Sequence, residues 1–521
     1  MVDILEHQLE ISCRRRMAEL KNSDPPSLVF RPHPPSYAPR IWHGPTFLPS
    51  TSLPLPTSDT DIAFAPMHHQ ITWLRSQQLS SRRLTEIYLD RIDRFSGILE
   101  CMVTITADTA LRQADTADAQ FEEGTICSLV QGIPYVLKDL LDVADVPTTW
   151  GAEFQLDYLP TKDAKVAELL RNAGAVNLGK ATLGALAMGD VWHGGQTRNP
   201  WNPKEGSTGS SAGSAAAVGA ALCTFGIGSE TLGSIQIPSQ RCGAVGLRPT
   251  FGRVSRSGAM ALCWSLDKIG PICRSAMDAG IVLETINGFD PDDLSSTNYS
   301  FTAPGADHSV FSIGYIRDDF EGNTPNLPEN NSLDTLRTLG HDVVPIELPD
   351  LPWDAMMACL FAEAAAAFED ITLRDVDDSL ARQDQWAWPN IFRCARFISA
   401  IDYVQGDRIR RKAVEEINKA FMRVDFIVAP LLAGPTLMLT NFTGHPSICL
   451  RSGFIQSGVR GLGTILGGRF TPPVTDSSTI LRVPQGISLI GRMFEEDRLV
   501  VLADQLEQEL GIATERPSGF N

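Results

Sequence analysis

Residues 209–214 read Gly209-Ser210-Ser211-Ala212-Gly213-Ser214, and residues 230–235 read Glu230-Thr231-Leu232-Gly233-Ser234-Ile235. The region around both segments is otherwise typical of buried helix and strand. Glycine costs conformational entropy on folding, and a buried hydroxyl group needs a hydrogen-bond partner. A fold does not need so many serines and glycines in its core. The two segments therefore predict a catalytic floor with nucleophilic serines and exposed backbone N–H donors.

The composition is that of an ordinary globular protein. Hydrophobic residues make up 43% and charged residues 20% of the 521-residue chain, which is ample for a large core. The formal net charge is -18. Because nucleic acids and anionic membranes bind positively charged surfaces, this charge argues against both as partners.

Cysteine usage predicts a reducing compartment. The ten cysteines are scattered through apolar runs, without a CxxC pair or the Cys/His spacing of a metal site. We expect buried, reduced thiols and neither a metal nor a cofactor. Residues 1–21 are charged, unlike a signal peptide, and no run approaches the ~18 apolar residues of a membrane span. The expected location is cytoplasmic.

Two regions are predicted along the chain. Residues 4–21 are expected to form a helix, and residues 24–57 are rich in proline and serine, which is typical of an extended linker or a wrapping arm. Residues 1–61 are thus predicted to be an N-terminal extension. Residues 62–521 are predicted to form the compact body.

Strands and helices alternate through this body, which favours a layered α/β fold. The predicted elements are a helix capped by Ser80 or Ser81 that places Leu84, Ile87, Tyr88 and Ile92 on one face, helices over 108–122, 164–174 and 493–510, strands over 132–137, 175–178 and 425–429, and a helix followed by a strand over 332–348. Residues 352–410 are helical but less regular. They are either a lid over the site or an aromatic core containing Trp353, Trp386 and Trp388.

Lys138 is a candidate general base because it ends the apolar run Ile133-Pro134-Tyr135-Val136-Leu137. Burial disfavours the ammonium ion and lowers the pKa of a lysine, and a neutral lysine can accept a proton. Two structural alternatives stay open at this point. The side chain either extends its charge to solvent or pairs with Asp139.

Other catalytic motifs do not match. The glycine-rich turn lacks both the Lys-Ser/Thr of a P-loop and a GxGxxG fingerprint. Ser234 does not lie in a G-x-S-x-G elbow, because Gln236 follows Ile235. Ser265 and Lys268 have S-x-x-K spacing without a companion motif, which we interpret as coincidence. No cysteine has the polar, helix-start setting of a nucleophile.

Taken together, the segments resemble the amidase signature family of hydrolases. The block from Gly206 to Gly258 is similar to the diagnostic region of that family, and the similarity covers roughly residues 62–511. Further matching segments follow in the family's order: Gly132-Ile133-Pro134 through Lys138-Asp139, Thr197-Arg198-Asn199-Pro200-Trp201, Asp267-Lys268-Ile269-Gly270-Pro271, Thr443-Gly444-His445-Pro446 and Gly486-Ile487-Ser488-Leu489-Ile490-Gly491.

The resemblance implies a single large α/β domain with a central mixed, twisted β-sheet covered by helices on both faces. It also implies a Ser–cis-Ser–Lys triad, with Ser234 as nucleophile, Ser210 as bridging serine after a cis peptide, and Lys138 as base. The implied oxyanion donors are the backbone N–H groups of Thr231, Leu232, Gly233 and Ser234.

The implied activity is amide hydrolysis by acyl transfer. Ser234 attacks a carboxylic amide, and water then hydrolyses the acyl-enzyme to give the acid and ammonia or an amine. The expected partner is a small-molecule amide, and a homodimer is a further expectation. Two alternatives stay open: a glutamine amidotransferase A-type subunit that supplies ammonia to a partner, and a non-catalytic scaffold with the same fold.

The chain departs from the family pattern near the nucleophile. Leu232 stands where a glycine is usual, Gln236 where an arginine is usual, and Glu230 where an aspartate is common. Leu232 still supplies an N–H group, so the departures bear on substrate range rather than on reaction type. Leu232 and Gln236 are the positions expected to influence that range first.

Overall fold

One 11-stranded β-sheet forms the centre of the molecule. The computed structural model describes residues 21–24, 29–33, 37–50, 52–320, 328–348, 351–431, 435–461, 464–466, 469–471 and 474–521. The strands of the large sheet are β1 (Met102–Ile105), β2 (Pro134–Lys138), β3 (Val176–Ala181), β8 (Phe225–Glu230), β9 (Val245–Arg248), β10 (Lys268–Cys273), β11 (Ser312–Ile316), β12 (Asp342–Ile346), β13 (Phe426–Pro430), β14 (Ser447–Arg460) and β17 (Val474–Ile490). Short two-stranded sheets contain β4 (Val191–Trp192) with β5 (Gly195–Gln196), β6 (Arg198–Asn199) with β7 (Asn202–Gly206), and β15 (Thr464–Leu466) with β16 (Arg469–Thr471).

The large sheet is mixed, as predicted. Its strand order is β1-β3-β2-β8-β10-β9-β14-β17-β13-β11-β12. Strand β2 is parallel to β3 and β8, and β11 is parallel to β12 and β13. The remaining neighbours are antiparallel. The predicted α/β class and single large domain are therefore confirmed.

Helices cover both faces of this sheet. They are α1 (Asp59–Phe64), α2 (Met67–Arg75), α3 (Ser81–Leu99), α4 (Ala107–Glu122), α5 (Lys165–Asn172), α6 (Ala212–Gly219), α7 (Gln236–Cys242), α8 (Ala276–Ile286), α9 (Arg317–Phe320), α10 (Pro328–Thr338), α11 (Met357–Ala367), α12 (Glu369–Leu373), α13 (Trp388–Ala395), α14 (Ala400–Ala420), α15 (Thr436–Thr443) and α16 (Glu496–Leu510). Helix α3 begins as predicted, because the side chain of Ser80 accepts a hydrogen bond from the amide of Arg83. Its predicted apolar face is buried.

The parallel arrangement of β2 and β8 positions the candidate site. Parallel strands end at the same edge of a sheet, and ligands commonly bind outside that edge. Lys138 is the last residue of β2, and Glu230 is the last residue of β8. The two serine-rich segments lie beside these strand ends, since one precedes α6 and the other joins β8 to α7.

Helix α6 lies close to the sheet because its residues are small. All eight of its residues are buried, and Gly213 leaves no room for a side chain. A Cβ atom at Gly213 would lie 2.3 Å from the carbonyl oxygen of Cys101 and 2.4 Å from the amide nitrogen of Thr182. The glycines and alanines that follow Ser210 therefore bring the serine-bearing loop against β3.

The described residues of the N-terminal region before Asp59 run along the body without helix or strand, and α1 begins at Asp59 and crosses the predicted boundary. Thr46 forms an isolated bridge with Pro304, and the guanidinium of Arg40 pairs with Asp425 and Glu495. These contacts agree with a wrapping arm. The predicted helix over 4–21 lies almost wholly outside the described residues, and the boundary between residues 61 and 62 stays a prediction.

The helical region 352–410 contains both buried and exposed aromatic residues. The ring of Trp388 is buried and stacks on Phe392 with ring centroids 5.0 Å apart. Trp386, by contrast, is 54% exposed. Of the two predictions for this region, a lid or an aromatic core, Trp388 fits the aromatic core. No helix in the described ranges is both long and apolar enough to cross a membrane.

Candidate active site

Lys138 lies at the centre of a cluster of serines. Its Nζ atom is 2.7 Å from Ser210 Oγ and 3.2 Å from Ser211 Oγ. The same atom is 2.9 Å from Ser229 Oγ and 3.2 Å from the Ser229 carbonyl oxygen. The side chain of Lys138 is fully buried. The structure thus brings together two of the predicted triad residues, Lys138 and Ser210.

Both structural alternatives for Lys138 are wrong. Its amine does not extend to solvent, and the partner of Asp139 is Lys180, whose Nζ atom lies 2.9 Å from Asp139 Oδ1. Burial lowers the pKa of Lys138 to about 7, although the carboxylates of Asp267 and Glu230 act in the opposite direction. A lysine with this pKa is substantially neutral near pH 7 and can accept a proton.

Ser210 follows a tightly enclosed glycine. The peptide bond between Gly209 and Ser210 is cis, as the family resemblance implied. A Cβ atom at position 209 would lie 1.8 Å from the carbonyl oxygen of Gly189. The preceding residue, Thr208, donates its amide hydrogen to Asp190 Oδ2 at 2.7 Å. These contacts hold the backbone on both sides of Gly209 against residues 189–190.

Ser234 lies beside the serine cluster through its backbone. Its carbonyl oxygen accepts a hydrogen bond from the amide of Ser211 at 3.0 Å. The side chain of Ser234 retains slight solvent access, with 9% exposure. Across the described ranges, no side-chain hydrogen bond joins Ser234 to Ser210 or Lys138. The third predicted triad residue is therefore adjacent to the pair without being bonded to it.

The loop before Ser234 offers a set of unused backbone donors. Within the described residues, the amides of 231–234 donate no hydrogen bond to the protein. The next two amides, of Ile235 and Gln236, donate to Glu230 Oε2 at 2.8 and 3.0 Å. Gly233 has a φ of 94°, which favours glycine. The predicted oxyanion donors Thr231, Leu232, Gly233 and Ser234 are thus free to bind a ligand atom.

Glu230 anchors this loop from below. Its carboxylate is fully buried, and it accepts hydrogen bonds from Arg248 at 2.9 Å and from Asn441 at 2.9 Å. Burial acts to raise the pKa of Glu230, but the positive charges of Arg248 and Lys268 outweigh it and hold the pKa at about 2. The sequence identified Glu230 only as a departure from the family pattern, without this structural role.

Gln236 differs from the expectation that it influences substrate range. Its side chain is buried, and its Oε1 atom accepts hydrogen bonds from Ser447 and Ser488, both at 2.7 Å. Its Nε2 atom donates to Glu230 at 3.1 Å. Because these bonds occupy both ends of the amide group, Gln236 fixes α7 against the sheet instead of facing a substrate. Leu232 is half-buried.

The sequence did not identify two further residues as part of the site, although Asp267 lies in one of the segments that match the family. Ser229 contacts Lys138, as described above, and Asp267 accepts a hydrogen bond from Thr231 Oγ1 at 2.6 Å. Asp267 also accepts from the amides of Leu262 and Cys263, at 2.8 and 2.9 Å. The contact of Ser229 depends on the parallel pairing of β2 with β8, and that of Asp267 with Thr231 on the antiparallel pairing of β8 with β10, in which Glu230 faces Lys268. A single sequence does not reveal that register.

The S-x-x-K pair forms no second catalytic site. Ser265 Oγ donates to Glu363 at 2.6 Å and accepts from Arg410 at 2.8 Å. The ammonium of Lys268 donates to the carbonyl oxygen of Leu266. The side chains of Ser265 and Lys268 are thus held by different partners, which agrees with coincidental spacing.

Comparison with known proteins identifies the family. The family model described as Amidase matches residues 83–500. The chain is 31% identical over 479 residues to the A-type subunit of the glutamyl-tRNA(Gln) amidotransferase from Desulfatibacillum aliphaticivorans, covering 85% of this chain and 97% of the relative. It is 32% identical to the protein of the same description from Desulforapulum autotrophicum, covering 84% of this chain and 95% of the relative.

Solved structures show the same fold. The peptide amidase of Stenotrophomonas maltophilia is 27% identical, with a TM-score of 0.73 and coverage of 88% of this chain and 99% of that one. A bacterial aryl acylamidase superposes with a TM-score of 0.72 at 20% identity, over 88% of this chain and 99% of that chain. The chain therefore belongs to the amidase signature family of enzymes, which act on carbon–nitrogen amide bonds.

Proposed function

We propose that the chain hydrolyses a carboxylic amide to an acid and ammonia or an amine through an acyl-enzyme on Ser234. The observation that carries the proposal is the buried Lys138, whose Nζ atom lies 2.7 Å from Ser210 Oγ. A serine hydroxyl is a weak nucleophile until a base removes its proton. Lys138 is a suitable base because burial lowers its pKa to about 7.

The first step is acylation. The hydroxyl of Ser210 gives its proton to the neutral amine of Lys138 and accepts the proton of Ser234. Ser234 Oγ forms a bond to the carbonyl carbon of the substrate, and the carbonyl oxygen becomes an oxyanion. The carbon–nitrogen bond then breaks, and the leaving nitrogen takes the proton back from Lys138 through Ser210.

The second step is deacylation. A water molecule attacks the ester carbon while its proton passes through Ser210 to Lys138. The bond to Ser234 Oγ breaks, and Ser234 recovers a proton by the same route. The acid leaves, and the amine of Lys138 is neutral again. Each step therefore uses the relay twice, first to carry a proton to Lys138 and then to return one from it.

The free amides of residues 231–234 are suited to bind the oxyanion in both steps. Preformed backbone donors stabilise charge that develops in the transition state, and loss of one such donor typically costs about 10²–10³ in rate. The buried carboxylate of Glu230 holds the following two amides, of Ile235 and Gln236. The four preceding amides, of residues 231–234, are thus held in place while they donate no hydrogen bond within the described residues.

A second candidate function is release of ammonia from glutamine for a partner protein. The supporting observation is that the curated relatives at 31% and 32% identity are described as amidotransferase subunits. Glutamine is itself a carboxylic amide, so the same chemistry serves both functions. The two candidates differ in the substrate and in the need for a partner.

The test uses the purified chain alone. A fluorophosphonate probe is expected to label the wild-type protein and not Ser234→Ala, with the modified peptide identified by mass spectrometry. The wild-type protein is also assayed against neutral primary amides, anilides, esters and glutamine. Hydrolysis of neutral amides without a partner supports the amidase. Activity only on glutamine and only with a partner supports the second candidate, and full activity of Ser234→Ala contradicts both.

We also propose that the protein is cytoplasmic and forms a homodimer. The buried cysteines, among them Cys101, Cys223 and Cys273, support a cytoplasmic location because reduced thiols persist there. Sedimentation of the purified chain tests the expected homodimer.

A further inference from the structure

A cavity of about 90 Å³ lies beside the catalytic cluster. Ser229 and Thr231 both line it. Ser229 contacts Lys138, and Thr231 is the first residue of the loop with free amides. The cavity therefore borders the place where the proposed mechanism requires the carbonyl group of a substrate.

Most of the cavity wall is apolar. The larger apolar side chains that line it are those of Leu140, Met260, Leu262, Trp264 and Ile269, and alanines 187, 259 and 261 complete the apolar part. Such a wall favours an apolar group, because burying a polar group without a hydrogen-bond partner costs free energy. The walls of substrate pockets commonly combine an apolar lining with a few polar groups that orient the reacting atoms.

The one guanidinium in the wall is already occupied. Arg256 donates from Nε and Nη2 to the two carboxylate oxygens of Asp293, at 3.3 Å each. It also donates to Ser295 Oγ at 2.6 Å and to the carbonyl oxygen of Trp264. Recognition of a substrate carboxylate typically uses an arginine with free donors. These bonds use four of the five N–H donors of Arg256 and leave a single Nη1 hydrogen, too few for a paired contact with a carboxylate.

Carboxylates outnumber this guanidinium around the cavity. Asp267, Asp292 and Asp293 all line it, and Asp292 is exposed to solvent. Asp267 is half-buried and accepts hydrogen bonds from Thr231 and from the amides of 262–263, as described above. These side chains would repel a negatively charged substrate group, and among the described lining residues Arg256 could offer it only one N–H donor. The wall therefore selects for an uncharged group.

Two residues of the N-terminal extension, Asn22 and Ser23, complete the wall of the cavity. Asn22 Nδ2 donates to the carbonyl oxygens of Ala261 and Ala367, at 2.8 and 3.2 Å. The amide of Ala261 donates to Asn22 Oδ1 at 2.9 Å. The next residue, Ser23, lines the cavity. These hydrogen bonds of Asn22 hold the N-terminal extension against the loop that carries Met260. They also place the neighbouring residue, Ser23, at the cavity.

We propose that this cavity binds the uncharged, apolar acyl part of the amide substrate, and that Asn22 and Ser23 form an outer wall that limits its size. The proposal rests on the proposed amidase function of the same site. A volume of about 90 Å³ has room for roughly six non-hydrogen atoms. Short unbranched or compact cyclic acyl groups fit this space.

The experiment measures kcat/KM for the unbranched primary amides from acetamide to hexanamide and for succinamic acid, the acidic counterpart of butanamide. The result compared between variants is the kcat/KM for hexanamide divided by the kcat/KM for acetamide. Ser23→Trp fills the outer wall and is expected to lower this ratio at least ~10-fold, the usual effect of a methylene group in an apolar pocket. Asn22→Ala loosens the wall and is expected to raise the ratio a few-fold. The matched control Asn172→Ala, exposed at the end of α5, leaves it unchanged.

Labelling of Ser234 by a fluorophosphonate separates failure of the proposed function from failure of the proposed pocket. If the wild type is not labelled and hydrolyses no amide, the proposed function fails. If the wild type and both variants are labelled and active but share one ratio, the function stands and the proposed pocket is overturned. Faster hydrolysis of succinamic acid than of butanamide also overturns the pocket, because it shows that a carboxylate is preferred.

Discussion

The Nζ atom of Lys138 lies 2.7 Å from the Oγ atom of Ser210, in surroundings from which water is excluded on the lysine side. A protonated amine at this distance would donate to the serine and would not accept its proton. The neutral amine can do the opposite. The protonation state of Lys138 therefore decides whether the serine cluster is a structural feature or a proton relay, and its dependence on pH is open to measurement.

Activity is expected to rise with pH through the pKa of Lys138. Burial lowers this pKa to about 7, and only the neutral form is a base. The value of kcat/KM should therefore increase from pH 5 to pH 8 and reach a plateau above pH 8. Lys138→Ala should lose about 10²–10⁴ in rate at pH 7 and retain a residual rate that increases with hydroxide concentration. The exposed control Lys162→Ala should keep the wild-type profile; the same profile in Lys138→Ala would contradict the assignment.

The burial that makes Lys138 a base is expected to destabilise the folded protein. The pKa is about 7 in the folded chain and 10.5 for an unperturbed lysine. Between these values the unfolded chain binds more protons than the folded one, so the free energy of unfolding rises with pH. Below about pH 7 the destabilisation is complete. Lys138→Met should therefore stabilise the inactive protein at pH 7 by roughly 1–3 kcal/mol, after allowance for lost hydrogen bonds.

Urea unfolding at pH 7 and pH 9 checks this expectation. The difference between Lys138→Met and the wild type should shrink as the pH approaches 9. The exposed control Lys412→Met should follow the wild type at both pH values. A variant that is less stable than the wild type at pH 7 would show that the hydrogen bonds of Lys138 outweigh its burial.

The predicted catalytic side chains lie near the ends of elements: Lys138 ends β2, and Ser210 and Ser234 each lie two residues before a helix. Lys138 ends an apolar run, and its burial follows from the central position of β2, which pairs with β3 and β8. The free amides before Ser234 follow from the glycine and serine content of the loop. The local sequence marks these residues as candidates, and the resemblance to the amidase signature family supplies their roles.

The remaining parts of the site depend on contacts between distant segments. Asn22 reaches Ala261 and Ala367, and nothing in its neighbours predicts either contact. The difference between Gln236 and the usual family residue predicts an influence on substrate range, yet its partners Ser447 and Ser488 come from strands far along the chain. Comparison with a family pattern identifies an unusual residue but does not show which groups its side chain contacts.

Ser229 is expected to tune the base. Its Oγ atom lies 2.9 Å from Lys138 Nζ, where it can accept a hydrogen bond from the ammonium form. Loss of a bond to the charged form lowers the pKa of the amine. Ser229→Ala should therefore move the rise in kcat/KM to lower pH, by less than about one unit. Ser229→Thr, which keeps a hydroxyl group, should restore the wild-type midpoint, and the exposed control Ser50→Ala should not move it. A lower rate at an unmoved midpoint would show a purely structural role.

Glu230 is expected to be essential for folding stability. It is fully buried with Arg248 2.9 Å away, and removal of one partner leaves the other charge buried and unpaired. Glu230→Gln should therefore reduce the free energy of unfolding by about 3–5 kcal/mol at pH 7. The exposed control Glu123→Gln should have little effect in the same urea titration.

The acid stability of the wild type follows from the same carboxylate. The pKa of Glu230 is about 2 in the folded chain and 4.5 for an unperturbed glutamate, so the unfolded chain binds more protons between these values. The stabilisation from Glu230 is complete above pH 4.5 and is lost as the pH falls towards 2. Glu230→Gln should lack this component, and its free energy of unfolding should fall less steeply than that of the wild type between pH 5 and pH 3. Parallel slopes for the two proteins would show that Glu230 is not held ionised by Arg248.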